Sequence, residues 1–138
     1  MNTATDFTTS TQREVSLAAG VAGSVFVANP WGDQGVGVPV YIKFLSDGAL
    51  TADDTNYATL TATTAAGVDV GVITTETSAS GGTGNIAAGG QVVIGDGSLV
   101  GQCGPGEALT ITKAEAGTGV EITGVYTVLW TYERQGTP

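Results

Sequence analysis

The segment near the end of the chain is apolar on both faces of a predicted strand. In VEITGVYTVLWTYERQGTP, residues 120–138, no charged side chain occurs between Glu121 and Glu133. One face of this strand would carry Tyr126, Val128, Trp130 and Tyr132. The other face would carry Val125, Thr127, Leu129 and Thr131. Because a strand with one solvated face carries polar residues at every second position, the pattern predicts a central strand whose second face is covered by a loop of its own chain or by another copy.

The rest of the chain predicts further short strands. Alternation of side chains appears in VPVYIKFLS, in residues 57–62 and in GVDVGVITT. Turns rich in glycine and proline, such as Asn29-Pro30-Trp31-Gly32, separate these segments. About six to eight short strands without an amphipathic helix predict an all-β fold, an antiparallel β-sandwich or jelly roll. A helix of one or two turns near residues 13–19 is a local alternative.

Length and composition favour a single domain. The chain has 138 residues, which is an ordinary size for one domain. Residues 1–12 are polar and rich in threonine, with Phe7 as their one aromatic side chain, and they predict an extended N-terminal arm. Residues 13–138 would then form one β-sandwich domain. The small residues of the segment 77–90 predict a surface loop that buries almost no side-chain area.

The charge balance argues against several classes of partner. Four basic residues against 13 acidic residues give a net charge of −9 at pH 7. This charge repels polyphosphates and anionic lipid headgroups, so neither nucleic acid nor a membrane is expected as a partner. We expect no signal peptide and no membrane span, since no basic segment precedes an apolar one at the start and no apolar run reaches about 18 residues. The single cysteine cannot form an intrachain disulfide.

Few residues in the chain could carry catalysis. The sequence contains no histidine, which removes the commonest general base and the Ser-His-Asp and Cys-His arrangements. Cys103 lies in the glycine-rich segment GQCGPGE without a basic neighbour, so an unreactive thiol is expected. Lys43 and Lys113 lie in predicted strands, where a solvated lysine is the commoner outcome. We therefore expect no enzyme and no cofactor.

The acidic residues are scattered over predicted turns. They include Asp33, Asp47, Asp53, Asp54 and Asp96. A glycosidase needs only two carboxylates, but no aromatic-rich cleft accompanies these residues, so turn acids that aid solubility are expected. Asp47, Asp53, Asp54 and Asn56 offer oxygen atoms to calcium, yet the segment lacks the spacing and the closing glutamate of an EF-hand. No metal site is predicted.

Trp31 lies in NPWGDQG, on a predicted loop. An exposed loop tryptophan could stack on a sugar or anchor a protein partner. The alternative is that the ring folds back and closes one end of the sandwich. A carbohydrate site would combine Trp31 with Tyr57 and with the acidic turn around Asp53.

Several segments together resemble the small jelly-roll or β-sandwich decoration proteins of tailed bacteriophages, also called capsid cement proteins. The resemblance rests on the threonine-rich N-terminal segment, on VPVYIKF followed by SDGALTADDTNYATLT, on the loop of small residues, and on the closing GEALTITKAEAGTGVEITGVYTVLWTYERQ. It extends over residues 15–134 and is a resemblance of pattern and composition. Phage tail and fibre modules share much of this pattern.

The resemblance implies a non-enzymatic virion protein on the outer capsid surface, assembled in the host cytoplasm. Such a protein binds the major capsid protein, forms a homotrimer and stabilises contacts between coat subunits. An acidic surface and an arm that orders on the capsid fit this role. The side chains expected at the partner interface are Phe7, Trp31, Val125, Thr127, Leu129 and Thr131. The alternative function is a phage fibre or adhesion module, or a carbohydrate-binding β-sandwich.

Overall fold

Eight strands form the framework of the part of the chain that the structure describes. The computed structural model describes the backbone of residues 7–133 and the side chains of residues 17–132. The strands are β1 (Phe7–Leu17), β2 (Gly23–Ala28), β3 (Val36–Ser46), β4 (Tyr57–Thr63), β5 (Asp69–Thr74), β6 (Gln91–Gly95), β7 (Ala108–Ala116) and β8 (Ile122–Glu133). Two short 3-10 helices, Gly32–Gln34 and Ser78–Ser80, lie in loops. Within the described residues, no helix has the length and apolar character needed to cross a membrane.

The strands form two antiparallel sheets of four strands each. The first sheet has the order β1-β8-β3-β6, and the second sheet has the order β2-β7-β4-β5. β4 pairs with β5, and the pairs β3–β6, β2–β7 and β1–β8 enclose this hairpin in succession. A chain that pairs in this nested way and is divided between two sheets is a jelly roll. The predicted all-β class and the antiparallel β-sandwich or jelly-roll architecture are confirmed.

The inward side chains of the two sheets form one apolar core. The first sheet contributes Ile42, Phe44, Tyr126, Val128 and Trp130, and the second contributes Val25, Leu60, Leu109 and Ile111. The rings of Phe44 and Tyr126 pack with their centroids 5.0 Å apart. Burial of each large apolar side chain stabilises the fold by about 1.5–3 kcal/mol. The alternation predicted for β8 is confirmed, because Tyr126, Val128 and Trp130 share the inward face.

The first strand begins earlier than the sequence predicts. Residues 7–12, expected in the extended arm, pair with residues 126–131 of β8, while residues 1–6 lie outside the described residues. The register shifts between Gln12 and Val15, and the strand continues to Leu17. The helix considered near residues 13–19 is therefore wrong. β8 already pairs with β3 on one side, and β1 provides hydrogen-bond partners for the peptide groups on its other side.

The segment between β5 and β6 is anchored to the body of the sandwich. Ile86 is buried, and its backbone pairs with that of Leu50 in an isolated bridge. The Oδ1 of Asn85 accepts a hydrogen bond from the N–H of Ala52 at 2.9 Å. The expectation that residues 77–90 bury almost no side-chain area is therefore wrong at Ile86. A single isoleucine among small residues produces no periodic pattern, and its burial depends on the distant Leu50.

Lys113 is fully buried on the inward face of β7, so the prediction of a solvated lysine is wrong there. Its ammonium donates hydrogen bonds to the carbonyl oxygens of Leu17 and Ala18, at 3.1 and 2.8 Å. It also forms an ion pair with Glu115. The carboxylate of Glu115 accepts a further hydrogen bond from the N–H of Val120 at 3.0 Å. Lys113 thus links the end of β1 to the second sheet, and its charge is compensated inside the protein.

We expect Lys113→Ala to lower the free energy of unfolding by about 3–5 kcal/mol, because it leaves the carboxylate of Glu115 buried without a cation. Urea denaturation followed by circular dichroism measures the loss. The double variant Lys113→Met/Glu115→Gln should recover more than half of it, since no buried charge remains. Lys43→Ala is the control, with an expected loss below about 1 kcal/mol. Equal losses for Lys113→Ala and Lys43→Ala would contradict the prediction.

Candidate functional site

The outward side chains of β3 and β8 form an apolar surface, here called the β3–β8 strip. The strip consists of three cross-strand pairs, Tyr41 with Leu129, Lys43 with Thr127, and Leu45 with Val125. Leu45 is exposed and the other five side chains are half-buried. Val93 of β6, which is also exposed, lies opposite Lys43 and widens the strip. Because β8 and β3 are the two central strands of the first sheet, the strip runs along the middle of its outer face.

A groove of about 190 Å³ lies within the strip. Tyr41, Lys43, Thr127 and Leu129 line this groove. The Nζ of Lys43 lies 5.0 Å from the centroid of the Tyr41 ring, which is a cation–π contact. Lys43 is the one charged side chain of the strip, so the surface is uncharged except at this ammonium group.

The second face of β8 is partly open. Tyr126, Val128 and Trp130 are fully buried on the inward face, whereas the outward side chains from Val125 to Thr131 are half-buried. Among the side chains that the structure describes, those that line the groove belong to β3 and β8. Cover by a loop of the same chain, one of the two predicted arrangements, is therefore not found over this groove within residues 17–132. Cover by another chain stays a prediction.

Asn29 positions the loop that carries Trp31. The buried side-chain amide of Asn29 donates hydrogen bonds to the carbonyl oxygens of Gly35, Cys103 and Gly104, at 2.9, 3.3 and 3.1 Å. Its Oδ1 accepts a hydrogen bond from the N–H of Trp31 at 3.0 Å. Sequence reasoning found only a turn at Asn29-Pro30, because the carbonyl groups that the amide binds come from two other parts of the chain.

The ring of Trp31 packs over one end of the sandwich. It is half-buried against the core, and its centroid lies 5.1 Å from that of Tyr132. The hydroxyl of Tyr132 donates a hydrogen bond to the carbonyl oxygen of Gln34 at 3.1 Å. This position matches the alternative in which the tryptophan folds back. Since Phe7 pairs with Thr131, three of the predicted interface residues, Phe7, Trp31 and Thr131, lie at this end.

The residues proposed for a sugar site do not lie together. Trp31 follows β2, whose last residue, Ala28, pairs with Ala108 at the start of β7. Tyr57 pairs with Ala116 at the end of β7. The nine residues of β7 span about 26 Å at the usual rise of a strand. Trp31 therefore lies at the opposite end of the sandwich from Tyr57 and from the acidic turn that precedes it.

Three acidic residues of the turns, Asp53, Asp54 and Asp96, accept hydrogen bonds from backbone N–H groups. The Oδ1 of Asp53 accepts from the N–H groups of Thr55 and Asn56 at 2.7 and 2.6 Å. The Oδ1 of Asp54 accepts from both the N–H and the hydroxyl of Thr77 at 3.0 Å. In the described ranges, no group of three or more His, Cys, Asp or Glu side chains is placed to hold a metal ion. These acids stabilise turns, which is a more specific role than solubility.

Hydrogen bonds lower the pKa of three carboxyl groups below the ordinary value for aspartate. The N–H of Asn56, followed by that of Thr55, lowers the pKa of Asp53. Bonds from Thr77 lower the pKa of Asp54, and bonds from Ser98 lower that of Asp96. In each case the donor stabilises the charged form of the acid.

Three buried side chains of the core that carry polar groups, Cys103, Tyr126 and Trp130, do not contribute to an open site. Cys103 is fully buried, and burial raises the pKa of its thiol, which agrees with the expected unreactive cysteine. Burial also raises the pKa of Tyr126 to about 12. Within the described part of the chain, the hydroxyl of Tyr126 and the indole N–H of Trp130 have no hydrogen-bond partner. Each such group costs about 1–3 kcal/mol, which the apolar packing of the same rings offsets.

Comparisons of this chain with known proteins identify no relative whose binding residues could be compared with these. No family model, no curated protein and no solved structure matches the chain. The candidate site is therefore the β3–β8 strip, together with the end of the sandwich that carries Trp31 and Tyr132.

We expect Asn29→Ala to lower the free energy of unfolding by at least about 2 kcal/mol, because buried carbonyl groups lose their donor. Urea denaturation followed by tryptophan fluorescence measures this loss. Asn85→Ala is the matched control, since it removes one exposed hydrogen bond and should cost less than about 1 kcal/mol. Similar losses for the two variants would show that Asn29 does not hold the loop.

Stability should fall as the pH is lowered from about 5 to below about 3. A carboxyl group whose pKa is lowered by folding contributes stability above its unfolded pKa and loses it as the pH falls through the folded pKa. The triple variant Asp53→Asn/Asp54→Asn/Asp96→Asn keeps the acceptor oxygens but does not titrate. Its melting temperature should therefore fall less over this range than that of the wild type, as measured by circular dichroism. Parallel pH profiles would contradict the assignment.

Proposed function

We propose that the protein is a non-enzymatic structural component of a phage virion, which binds the outside of the capsid and stabilises contacts between coat subunits. The observation that carries this proposal is the β3–β8 strip. Its Tyr41, Leu45 and Leu129 lie on two central strands, where the backbone is held on both sides. A rigid, partly exposed apolar surface of this kind is typical of the core of a protein interface.

The topology supports the same class of function. Jelly rolls with this strand order occur in viral capsid proteins, and also in lectins and cupins. Since one fold serves many functions, the topology supports the proposal only in combination with the strip. The resemblance of the sequence pattern to phage decoration proteins points in the same direction.

The charge distribution fits attachment to an outer surface. The net charge of −9 repels packaged DNA, and this favours the outside of a head over its interior. The only charged group of the strip is the ammonium group of Lys43. A carboxylate of the coat protein opposite Lys43 would form an ion pair and would orient the two surfaces.

The predicted interface residues divide into two groups in the fold. Val125, Thr127 and Leu129 lie on the β3–β8 strip, which we propose as the surface that contacts the coat protein. Phe7, Trp31 and Thr131 belong to the end of the sandwich where β1 begins and β8 ends. The homotrimer that the resemblance implies would need a surface other than the strip, and it stays a prediction.

The test uses heads of the phage that encodes this chain, prepared from a deletion strain that lacks the protein. Purified protein is mixed with these heads, and the bound fraction is measured after sedimentation. Wild-type protein should saturate the heads at a fixed ratio to the coat protein. Thr127→Glu should bind at least about tenfold more weakly, because a carboxylate in the contact must lose its water.

Thr61→Glu is the matched control for this experiment. Thr61 is also a half-buried, outward threonine on a central strand, but it lies on β4 in the second sheet. We expect it to bind as the wild type does. Heads that bind no wild-type protein would overturn the proposal, as would equal losses for the two variants. Binding to a glycan array that Trp31→Ala abolishes would support the carbohydrate-binding alternative instead.

A further inference from the structure

The four edge strands of the sandwich are protected to different degrees. Edge strands are usually guarded by charges, prolines, irregular register or short length. β1 contains Arg13 and Glu14 and has a register shift, β5 begins with Asp69, and β6 has only five residues. β2, with the sequence GSVFVA, contains neither a charge nor a proline and pairs with β7 without a register shift. β2 is therefore the unguarded edge among the described strands.

The hydrogen-bond pattern shows which peptide groups of β2 face away from the sheet. The N–H of Asn29 donates to the carbonyl oxygen of Glu107 at 3.1 Å, at the point where the β2–β7 register continues beyond Ala28. Because hydrogen-bonded and non-hydrogen-bonded pairs alternate in an antiparallel ladder, Val25 and Val27 are bonded to β7. The N–H and C=O groups of Ser24 and Phe26 consequently point to the open side.

The side chains beside this edge are apolar or carry hydroxyl groups. Phe26 is 62 % exposed, which is a high value for a phenylalanine on a regular strand. The hydroxyl of Ser24 lies 3.4 Å from that of Thr112 on the neighbouring strand. The outward side chains of β2 and β7 include no charged residue. Two copies of this acidic chain could therefore approach along β2 without placing carboxylates against each other.

We propose that β2 is a homotypic docking edge, at which the β2 strands of two copies pair antiparallel about a twofold axis at Val25. In this register Ser24 of each copy faces Phe26 of the other, and the four outward N–H and C=O groups of each copy are matched in four hydrogen bonds. The proposed pairing uses no peptide group of Ala28, which already has an interaction partner. The two sheets join into one continuous sheet of eight strands.

A second copy fits this edge because the edge is complementary to itself. A twofold interface brings the same surface of both copies together, so donors of Ser24 and Phe26 in one copy meet acceptors of the same residues in the other. The two Phe26 rings become diagonal neighbours about 7–8 Å apart across the junction, within reach of aromatic contact. Val25 of each copy lies opposite its counterpart and extends the core across the axis.

The test measures the mass of the purified protein by sedimentation velocity over a range of concentrations. Wild-type protein should form a dimer at micromolar concentration, which differs from the homotrimer that the resemblance implies. Ser24→Pro removes one outward N–H and leaves the bonds between β2 and β7 intact, so it should weaken association at least about 100-fold without unfolding. Phe26→Lys should also give a monomer. Val72→Lys, which changes an exposed side chain on the opposite edge strand, is the control and should still dimerise.

Cysteine cross-linking tests the register separately. A mixture of the single variants Ser24→Cys and Phe26→Cys should form a mixed disulfide dimer under oxidation, because these positions face each other across the proposed axis. Each variant alone should cross-link less, and the buried Cys103 should not react. Preferential cross-linking between two copies of Ser24→Cys would overturn the register.

The pairing and the proposed function can fail independently. A wild-type monomer at 100 times the concentration of the head-binding assay would overturn the pairing, and so would a trimer that Ser24→Pro leaves unchanged. Either result is compatible with attachment to heads through the β3–β8 strip. Conversely, a dimer that Ser24→Pro dissociates, but that does not bind heads, would support the pairing and contradict the proposed function.

Discussion

The insertion of β8 between β1 and β3 is the interaction on which the rest of the structure depends. The inward side chains of β8 place Tyr126, Val128 and Trp130 in the core, and the outward ones supply half of the β3–β8 strip. Stability and the candidate contact surface therefore come from one strand. A shift of its register by one residue would exchange the two faces of β8. Tyr126, Val128 and Trp130 would then leave the core. The ladders with β1 and β3 keep β8 in its register.

Local alternation was enough to predict the fold class and the inward face of β8. It did not predict the start of β1, the burial of Lys113 or the anchoring of Ile86. Each of these depends on groups that lie far away in sequence. β1 pairs with β8, Lys113 donates to carbonyl oxygens at the end of β1, and Ile86 pairs with Leu50. Periodicity shows which side chains face inward, but it carries no information about distant hydrogen-bond partners.

The candidate site was predicted in part for the same reason. Val125, Thr127 and Leu129 share a face because alternate residues of any strand do so. Tyr41 and Lys43 complete the strip only through the cross-strand register, which depends on the β-bulge near Pro39. The separation of Trp31 from Tyr57 likewise follows from the direction of β7 and not from their distance along the chain. The role of Asp53, Asp54 and Asp96 depends on their N–H donors, whose positions are set by the fold.

The nested pairing of the strands also has a consequence for folding during synthesis. β4 and β5 are close in sequence and can form a hairpin early, while each outer pair must close a longer loop. β1 leaves the ribosome before the other seven strands, yet Phe7 pairs with Thr131 of β8, which follows all of them. Until β8 has been synthesised, β1 must therefore remain without its final neighbour. The charged residues Arg13 and Glu14 in the sequence of β1 would disfavour pairing of this strand with another nascent chain during that time.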